Sequence, residues 1–310
     1  MAELISVSRD TDFEEIAAFQ RRAFGHERIK SERRRLQCAE YYRWKYFPPA
    51  GPARLAAVRT SRGLVAMLTA VPFKLATEDS TAWQICDIAS DPEFRQRGLF
   101  ARCLELVREA AADDVMFCFP NARSRRGLDK AGYSVVSRMR LQVRPIFALP
   151  FAGAGPALAH STNLPACEAA FQNPAHRRFI QRSPEFLHWR YAAHPLNRYV
   201  CVAASGTGPS TSYVIVRHLT VLRMRLGIVV DGCSASDEDA RAGHAAARGW
   251  AKDSGCSALV WARDLAMPSR SGTAMGNSER PWHVTCFARA ADSARLGGPA
   301  QMQFGDWDAV

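Results

Sequence analysis

The chain has 310 residues and nine cysteines but no C-x-x-C pair, and the nine are scattered along its length. Zinc ribbons and disulfide frameworks both need clustered or regularly spaced thiols, so neither fits. Most of the cysteines stand among apolar neighbours, as in ICDI, MFCF and VCVA, where Cys acts as a small hydrophobe. No apolar run approaches the length of a membrane span, and the start MAELISVSRDTDFEEI is too polar and acidic for a secretory leader. A reduced, cytoplasmic protein with no membrane insertion is therefore expected. The sequence also lacks a G-K-[ST] phosphate loop and a G-x-G-x-x-G dinucleotide fingerprint. The basic run Arg33-Arg34-Arg35 has no helix-turn-helix, zinc-finger or ribonucleoprotein pattern beside it, so no nucleic-acid partner is expected. No cluster has metal-ligand spacing, and no metal is expected. With 20 Gly, 17 Pro and 47% hydrophobic residues, the chain is neither collagen-like nor disordered.

What is present is length for two domains of about 150 residues each and a formal charge of +11, which suits a polyanionic or phosphate-rich ligand. The first half reads as strand Glu3 to Val7, a helix capped by Asp12 with Phe13, Ile16, Ala17 and Phe24 on one face, and a second helix from Ser31 to about Lys45. Two strands follow around a turn at Ser61, Arg62 and Gly63, then the strand Trp83 to Ala89 and a helix from about Leu99 to Ala111. The apolar strand VMFCF, a short helix to Ala131 and the strand YSVVSRMRLQV complete the unit. The order is β-α-α-β-β-β-α-β-α-β. Residues 146–166, rich in Pro, Gly and Ala without a clean period, read as a linker between domains at 1–145 and 167–310.

An internal repeat joins the two halves. Trp44-Lys45-Tyr46 aligns with Trp189-Arg190-Tyr191 at an offset of 145, and Asp87 aligns with Asp231 at an offset of 144. Each Asp is followed by a helical stretch and an apolar strand.

The stretch DIASDPEFRQRGLFARCLELV, Asp87 to Val107, carries the chemistry. A strand runs into Pro92, then Arg95-Gln96-Arg97-Gly98-Leu99, then an amphipathic helix. A helix start exposes unpaired N–H groups and the positive end of its dipole, Gly98 permits close approach, and two arginines add charge. A pyrophosphate suits this arrangement. Here the sequence resembles the GNAT superfamily of CoA-dependent N-acetyltransferases, whose R/Q-x-x-G-x-G/A signature is matched by Arg95, Gln96, Arg97, Gly98, Leu99 and Phe100, with Phe100 departing at the last position. FPNARSRRGLDKAGY, Phe119 to Tyr133, resembles the later segment of that family, and the element order matches over residues 3 to 144.

The resemblance implies an α/β (α+β) fold class with two GNAT-like domains, each a mixed, mostly antiparallel central sheet flanked by helices. It implies that Ile88, Ala89 and Ser90 hold the pantetheine through backbone groups, that amides from Gln96 to Phe100 with Arg95 and Arg97 hold the pyrophosphate, and that Asn121 faces the pantetheine. It implies acetyl-CoA as acyl donor and direct attack by a primary amine on the thioester. The Tyr that many relatives use as acid is replaced by Leu128, leaving Ser124 as either a substitute donor or a helix-start residue; Tyr133 belongs to the core. Asp87 is the carboxylate best placed as base, against a structural pairing with a nearby Arg. In the second half Asp237, Glu238 and Asp239 stand where the basic turn would be, so that domain is expected to be degenerate. In some tandem members a C-terminal carboxylate serves as base, which draws attention to the tail ending at Val310. Tyr41, Tyr42, Trp44 and Tyr46 either floor an acceptor cleft or pack against the sheet. The expected activity is acetyl transfer to an amine of a small molecule, sugar or peptide. A non-catalytic CoA-binding regulator and an aminoacyl-tRNA-dependent peptidoglycan transferase are the alternatives.

Overall fold

The computed structural model describes residues 2–24, 36–75, 80–146, 160–161, 180–203, 213–233, 237–262, 283–289 and 292. The first half runs β1 (Ala2–Ser6), α1 (Phe13–Phe24), α2 (Ala39–Lys45), β2 (Arg54–Thr60), β3 (Gly63–Lys74), β4 (Thr81–Ser90), α3 (Leu99–Ala111), β5 (Val115–Cys118), α4 (Ala122–Lys130) and β6 (Tyr133–Pro145). The second runs β7 (His160–Ser161), α5 (Pro184–Leu187) continued by a π turn over His188–Ala192, β8 (Tyr199–Ala203), β9 (Tyr213–Val221), β10 (Met224–Cys233), α6 (Asp237–Asp253), β11 (Ala258–Ala262) and β12 (His283–Arg289). The expected element order of the first half is observed. The helix expected from Ser31 is seen from Ala39; residues 25–35, with the arginine run, lie outside the described residues, as do most of the 146–166 linker and the tail to Val310.

Local chemistry explains the elements. In α1, Phe13, Ile16, Ala17, Gln20 and Ala23 recur at helical spacing and are buried. The Asp12 carboxylate accepts the Glu15 N–H at 2.9 Å, a cap worth about 1 kcal/mol. β3 is buried on both faces, which is why its sequence is apolar without alternation.

The twelve strands line up in the order β1-β2-β3-β4-β5-β12-β6-β11-β10-β9-β8-β7. Among the described residues only β4–β5 and β10–β11 pair in parallel; the other pairs are antiparallel. The two halves exchange strands at the centre. β12 lies between β5 and β6, with Phe287 opposite Cys118 and Arg289 opposite Tyr133. The far end of β6 pairs with β11, Leu141 opposite Ala262 through Pro145 opposite Ala258. Hydrogen bonding therefore crosses the 146–166 segment in both directions.

One face of the sheet carries a continuous core that spans both halves, from Phe13, Phe19 and Tyr46 to Phe186, Trp189 and Tyr213. The other face carries two separate clusters. Trp83, Ile85, Leu104, Val107 and Leu128 lie under α3 and α4, and Val216, Val229, Trp250 and Trp261 lie under α6. Each large buried side chain contributes roughly 1.5–3 kcal/mol, so the shared face welds the halves while the other face leaves each with its own helices.

Candidate active site

β4 and β5 pair only from Ala82 opposite Val115 to Ile85 opposite Cys118. Beyond that point β4 continues to Ser90 held by β3 alone, while β5 turns away through Phe119 and Pro120 into α4. A β-bulge marks the parting: Cys86 faces Thr69 and Ala89 faces Met67, so Asp87 and Ile88 together oppose Leu68. Asp87 takes the left-handed φ of 49° that the bulge requires. The result is a wedge between the end of β4, with Ile88, Ala89 and Ser90, and the start of α4. On the β5 side, the backbone of that β4 segment has no strand partner among the described residues.

The wedge ends at the loop Arg95–Gly98 and the start of α3. Gln96 and Gly98 both have positive φ, 63° and 73°, which turns successive amides toward one concavity. Built at Gly98, a Cβ meets nothing within 4 Å, so it is the sign of φ and not crowding that favours glycine there. The α3 N-terminus has no side-chain cap and no acidic residue in its first turn. Contrast α1, α4 and α5, whose first turns are capped by Asp12, Asn121 and Ser183. The amides of Gln96 to Phe100 make no backbone hydrogen bond among the described residues. An anion seated there gains roughly 0.3–2 kcal/mol from the helix dipole in addition to its hydrogen bonds.

The two arginines flank this concavity without filling it. Arg95 donates to the Ser90 carbonyl at 3.4 Å and to the Ala23 carbonyl at 3.2 Å, tying the end of β4 to the end of α1. Arg97 donates to the Glu93 carbonyl at 3.2 Å and lies over the Phe94 ring. Both residues are exposed. Phe100 directs its ring at α4: a Cβ added at Gly127 falls 2.6 Å from the ring edge. The aromatic at the position where the family pattern has Gly or Ala is thus accommodated by a glycine on the neighbouring helix.

Asn121 and Ser124 form a capping box. The Asn121 side chain accepts from the Arg123 and Ser124 N–H groups at 2.9 and 3.0 Å, and the Ser124 hydroxyl accepts the Asn121 N–H at 3.1 Å. They stand at the mouth of the wedge, but their oxygens hold the start of α4. Leu128 is fully buried, and Tyr133 is buried with its hydroxyl on the Met116 sulfur, as expected of core residues.

Asp87 points to the α1/α2 side. Its Oδ2 accepts from Lys45 Nζ at 2.8 Å and from the Tyr46 hydroxyl at 2.9 Å, and the Tyr46 oxygen in turn accepts from Thr69. Gln20 donates to the Asp87 carbonyl at 2.9 Å. Burial, and then the Asp87 charge, push the Tyr46 hydroxyl well above its usual range, so it stays a donor. The cation is a lysine, whereas the structural pairing weighed against the base role named an arginine. The sequence marks Lys45 as a member of the repeat and Tyr46 both as a member of it and as one of the aromatics of the second helix; the signal for their partnership with Asp87 is the paired recurrence of the aromatic motif and the aspartate. The aromatics of α2 pack inward: Tyr41, Tyr42 and Tyr46 are buried.

In the second half, β10 has a matching bulge between Val229 and Asp231. Asp231 is fully buried, and its Oδ2 accepts from Arg182 and from the Tyr191 hydroxyl, each at 2.7 Å. Before α6, which begins at Asp237, the sequence has Ser234-Ala235-Ser236 in place of the Arg95–Gly98 motif. His244, about two turns inside α6, is buried with both ring nitrogens without a hydrogen-bond partner among the described residues. Burial, with Arg248 and Arg144 nearby, pushes its pKa down to about 4. Among the described residues there is no group of three or more His, Cys, Asp or Glu able to hold a metal, and no helix long and apolar enough to cross a membrane.

A strand pair that parts at a bulge over an uncapped, glycine-led helix start leaves backbone amides open to an anion. Residues 5–136 match the family model described as an acetyltransferase (GNAT) domain. A GCN5-related N-acetyltransferase from Anabaena variabilis has TM-score 0.63 at 13% identity, covering 93% of this chain and 72% of that one. A conserved protein from Enterococcus faecalis, described as a probable N-acyltransferase, has TM-score 0.64 at 13% identity with the same coverages. The N-myristoyltransferase of Saccharomyces cerevisiae with bound myristoyl-CoA has TM-score 0.58 at 11% identity, covering 93% of this chain and 82% of that one. No curated protein sequence matches. The GNAT resemblance thus holds by family model over residues 5–136 and by fold over most of the chain.

Proposed function

We propose that this chain is an acyl-CoA-dependent N-acyltransferase, with acetyl-CoA as donor and a primary amine of a small molecule, sugar or peptide as acceptor. The observation that carries this reading is the wedge between β4 and β5 ending on the uncapped amides of Gln96 to Phe100. Those amides, with Arg95 and Arg97, would hold the pyrophosphate. The free backbone edge at Ile88, Ala89 and Ser90 would take the pantetheine amides, with Asn121 at the opposite wall. An N–H at Ala89 or Ser90 would donate to the oxyanion as the amine nitrogen bonds to the acyl carbon. The carbon–sulfur bond then breaks, and the proton lost by the amine balances the one gained by the thiolate.

N-myristoyltransferase shares this fold with myristoyl-CoA bound, which supports a second reading in which the acyl chain is longer than acetyl. Calorimetric titration with acetyl-CoA tests the donor: no saturable binding of acetyl-CoA or of CoA sinks the proposal, while binding of CoA with preference for a long-chain thioester favours the second reading. Arg97→Glu places a negative charge beside the concavity and is expected to weaken binding at least about ten-fold, since charge-assisted contacts are worth roughly 1.5–3 kcal/mol. Turnover is followed by released CoA thiol against an amine panel. Among the cysteines whose side chains are described only Cys38 is partly exposed, and a blank with protein alone subtracts the protein's own thiols.

A further inference from the structure

We infer that Asp87 is a positioning residue and not the base: clamped by Lys45 and Tyr46, it holds the bulge at which β4 leaves β5 and so sets the backbone that receives the acyl donor. The inference rests on the proposed acyl-CoA reading for the ligand, but not for the clamp itself.

The chain supplies its own control. In both halves an aspartate sits at a bulge in the fourth sequential strand of the unit, just past the last parallel pair: Asp87 after Ile85 opposite Cys118, and Asp231 after Ile228 opposite Val260. In both, one carboxylate oxygen receives a cation and a tyrosine hydroxyl, Lys45 with Tyr46 and Arg182 with Tyr191. The second half has Ser234-Ala235-Ser236 before its helix in place of the Arg95–Gly98 motif, and its aspartate is sealed at 0% exposure. A clamp kept in a half that lacks that motif points to a task at the bulge. In the first half the same geometry leaves the Asp87 side chain 12% and the Lys45 side chain 5% exposed, so the pair is largely dry there too.

The physical task is specific. Asp87 must be held at a φ of 49°, a left-handed region that a non-glycine residue occupies at a cost. Three contacts from two helices oppose that cost: Lys45 and Tyr46 at the end of α2 hold the carboxylate, and Gln20 from α1 holds the Asp87 carbonyl. Thr69 of β3 fixes the Tyr46 hydroxyl. If the clamp loosens, the bulge relaxes and Ile88, Ala89 and Ser90 lose their register against the wedge.

The test compares Asp87→Asn, Lys45→Met and the double variant in the full chain, by melting temperature, acetyl-CoA affinity, KM and kcat. Each single variant strands a buried charge or removes its counter-charge and is expected to lower the melting temperature and raise both Kd and KM for acetyl-CoA. The neutral double variant, and Lys45→Arg, should recover most of both losses. In the double variant kcat should stay within about ten-fold of the parent, short of the roughly 100- to 10,000-fold that removing a general base costs. A double variant that melts and binds like the parent while kcat collapses by that larger factor makes Asp87 the base and overturns the inference, as does a single variant that leaves melting and affinity unchanged. Should the parent neither bind nor turn over acetyl-CoA, the proposed function falls, and melting alone decides the clamp: recovery in the double variant supports it and additive loss overturns it.

Discussion

Trp44 and Trp189 stack with ring centroids 5.0 Å apart and planes 17° from parallel, and each indole N–H donates to the other's backbone carbonyl, at 2.7 and 3.0 Å. The contact is reciprocal, so it relates the two halves as a local two-fold would, on the sheet face where their cores merge. Arg190 lies over both rings and His194 against Trp44.

This pair should fasten the halves. Trp44→Ala is expected to destabilise the chain by about 3–5 kcal/mol, and Trp44→Phe, which keeps a ring and loses one donor, by nearer 1–2 kcal/mol. Chemical denaturation of the two single alanine variants and the double should give non-additive losses. Additive losses would mean that the rings act independently.

Phe100 and Gly127 make a matched set. Gly127→Ala forces the ring off α4, because the new Cβ falls 2.6 Å from it. Overpacking of this kind costs roughly 1–3 kcal/mol, and a ring displaced toward the α3 start should also lower CoA affinity. Phe100→Ala in the Gly127→Ala background should restore binding. Calorimetry on the three variants checks this, and unchanged affinity in Gly127→Ala would place the ring clear of the ligand.

His244 gives the fold an acid limit. Its folded pKa of about 4 lies below the ordinary imidazole value of 6.5, so between those values the unfolded chain binds more protons and stability falls as pH falls. Above pH 6.5 the contribution is constant; by pH 4 about 2–3 kcal/mol should be gone. Melting curves from pH 7.5 to 4.5 should show this slope, and His244→Leu should flatten it.

The exchanged strand makes the first half dependent on the second. A fragment of residues 1–145 lacks β12, which pairs with both β5 and β6, and so exposes two strand edges in mid-sheet. The fragment is expected to be unfolded or aggregated by sedimentation and circular dichroism. A soluble, cooperatively melting fragment would show that β12 is dispensable.

Local sequence alone determined a good deal. The helical spacing of Phe13, Ile16, Ala17 and Phe24, the Asp12 cap and the Pro92-to-Gly98 loop each encode their conformation within a few residues, so the element order of the first half was readable directly. The recurrence of Trp-Lys/Arg-Tyr with a later aspartate was readable as well. What those residues do was decided only by the tertiary structure. Lys45 reaches Asp87, Trp44 meets Trp189, and His283–Arg289 enters between β5 and β6, because sheet register and packing join segments 40 to 170 residues apart. Asn121 and Ser124 show the reverse: residue type suggested chemistry at the ligand, whereas their neighbours three positions away engage them in capping a helix. Hydrophobic period and capping are short-range and written in order along the chain; strand exchange and a buried ion pair depend on which surfaces meet, and no local pattern carries that information.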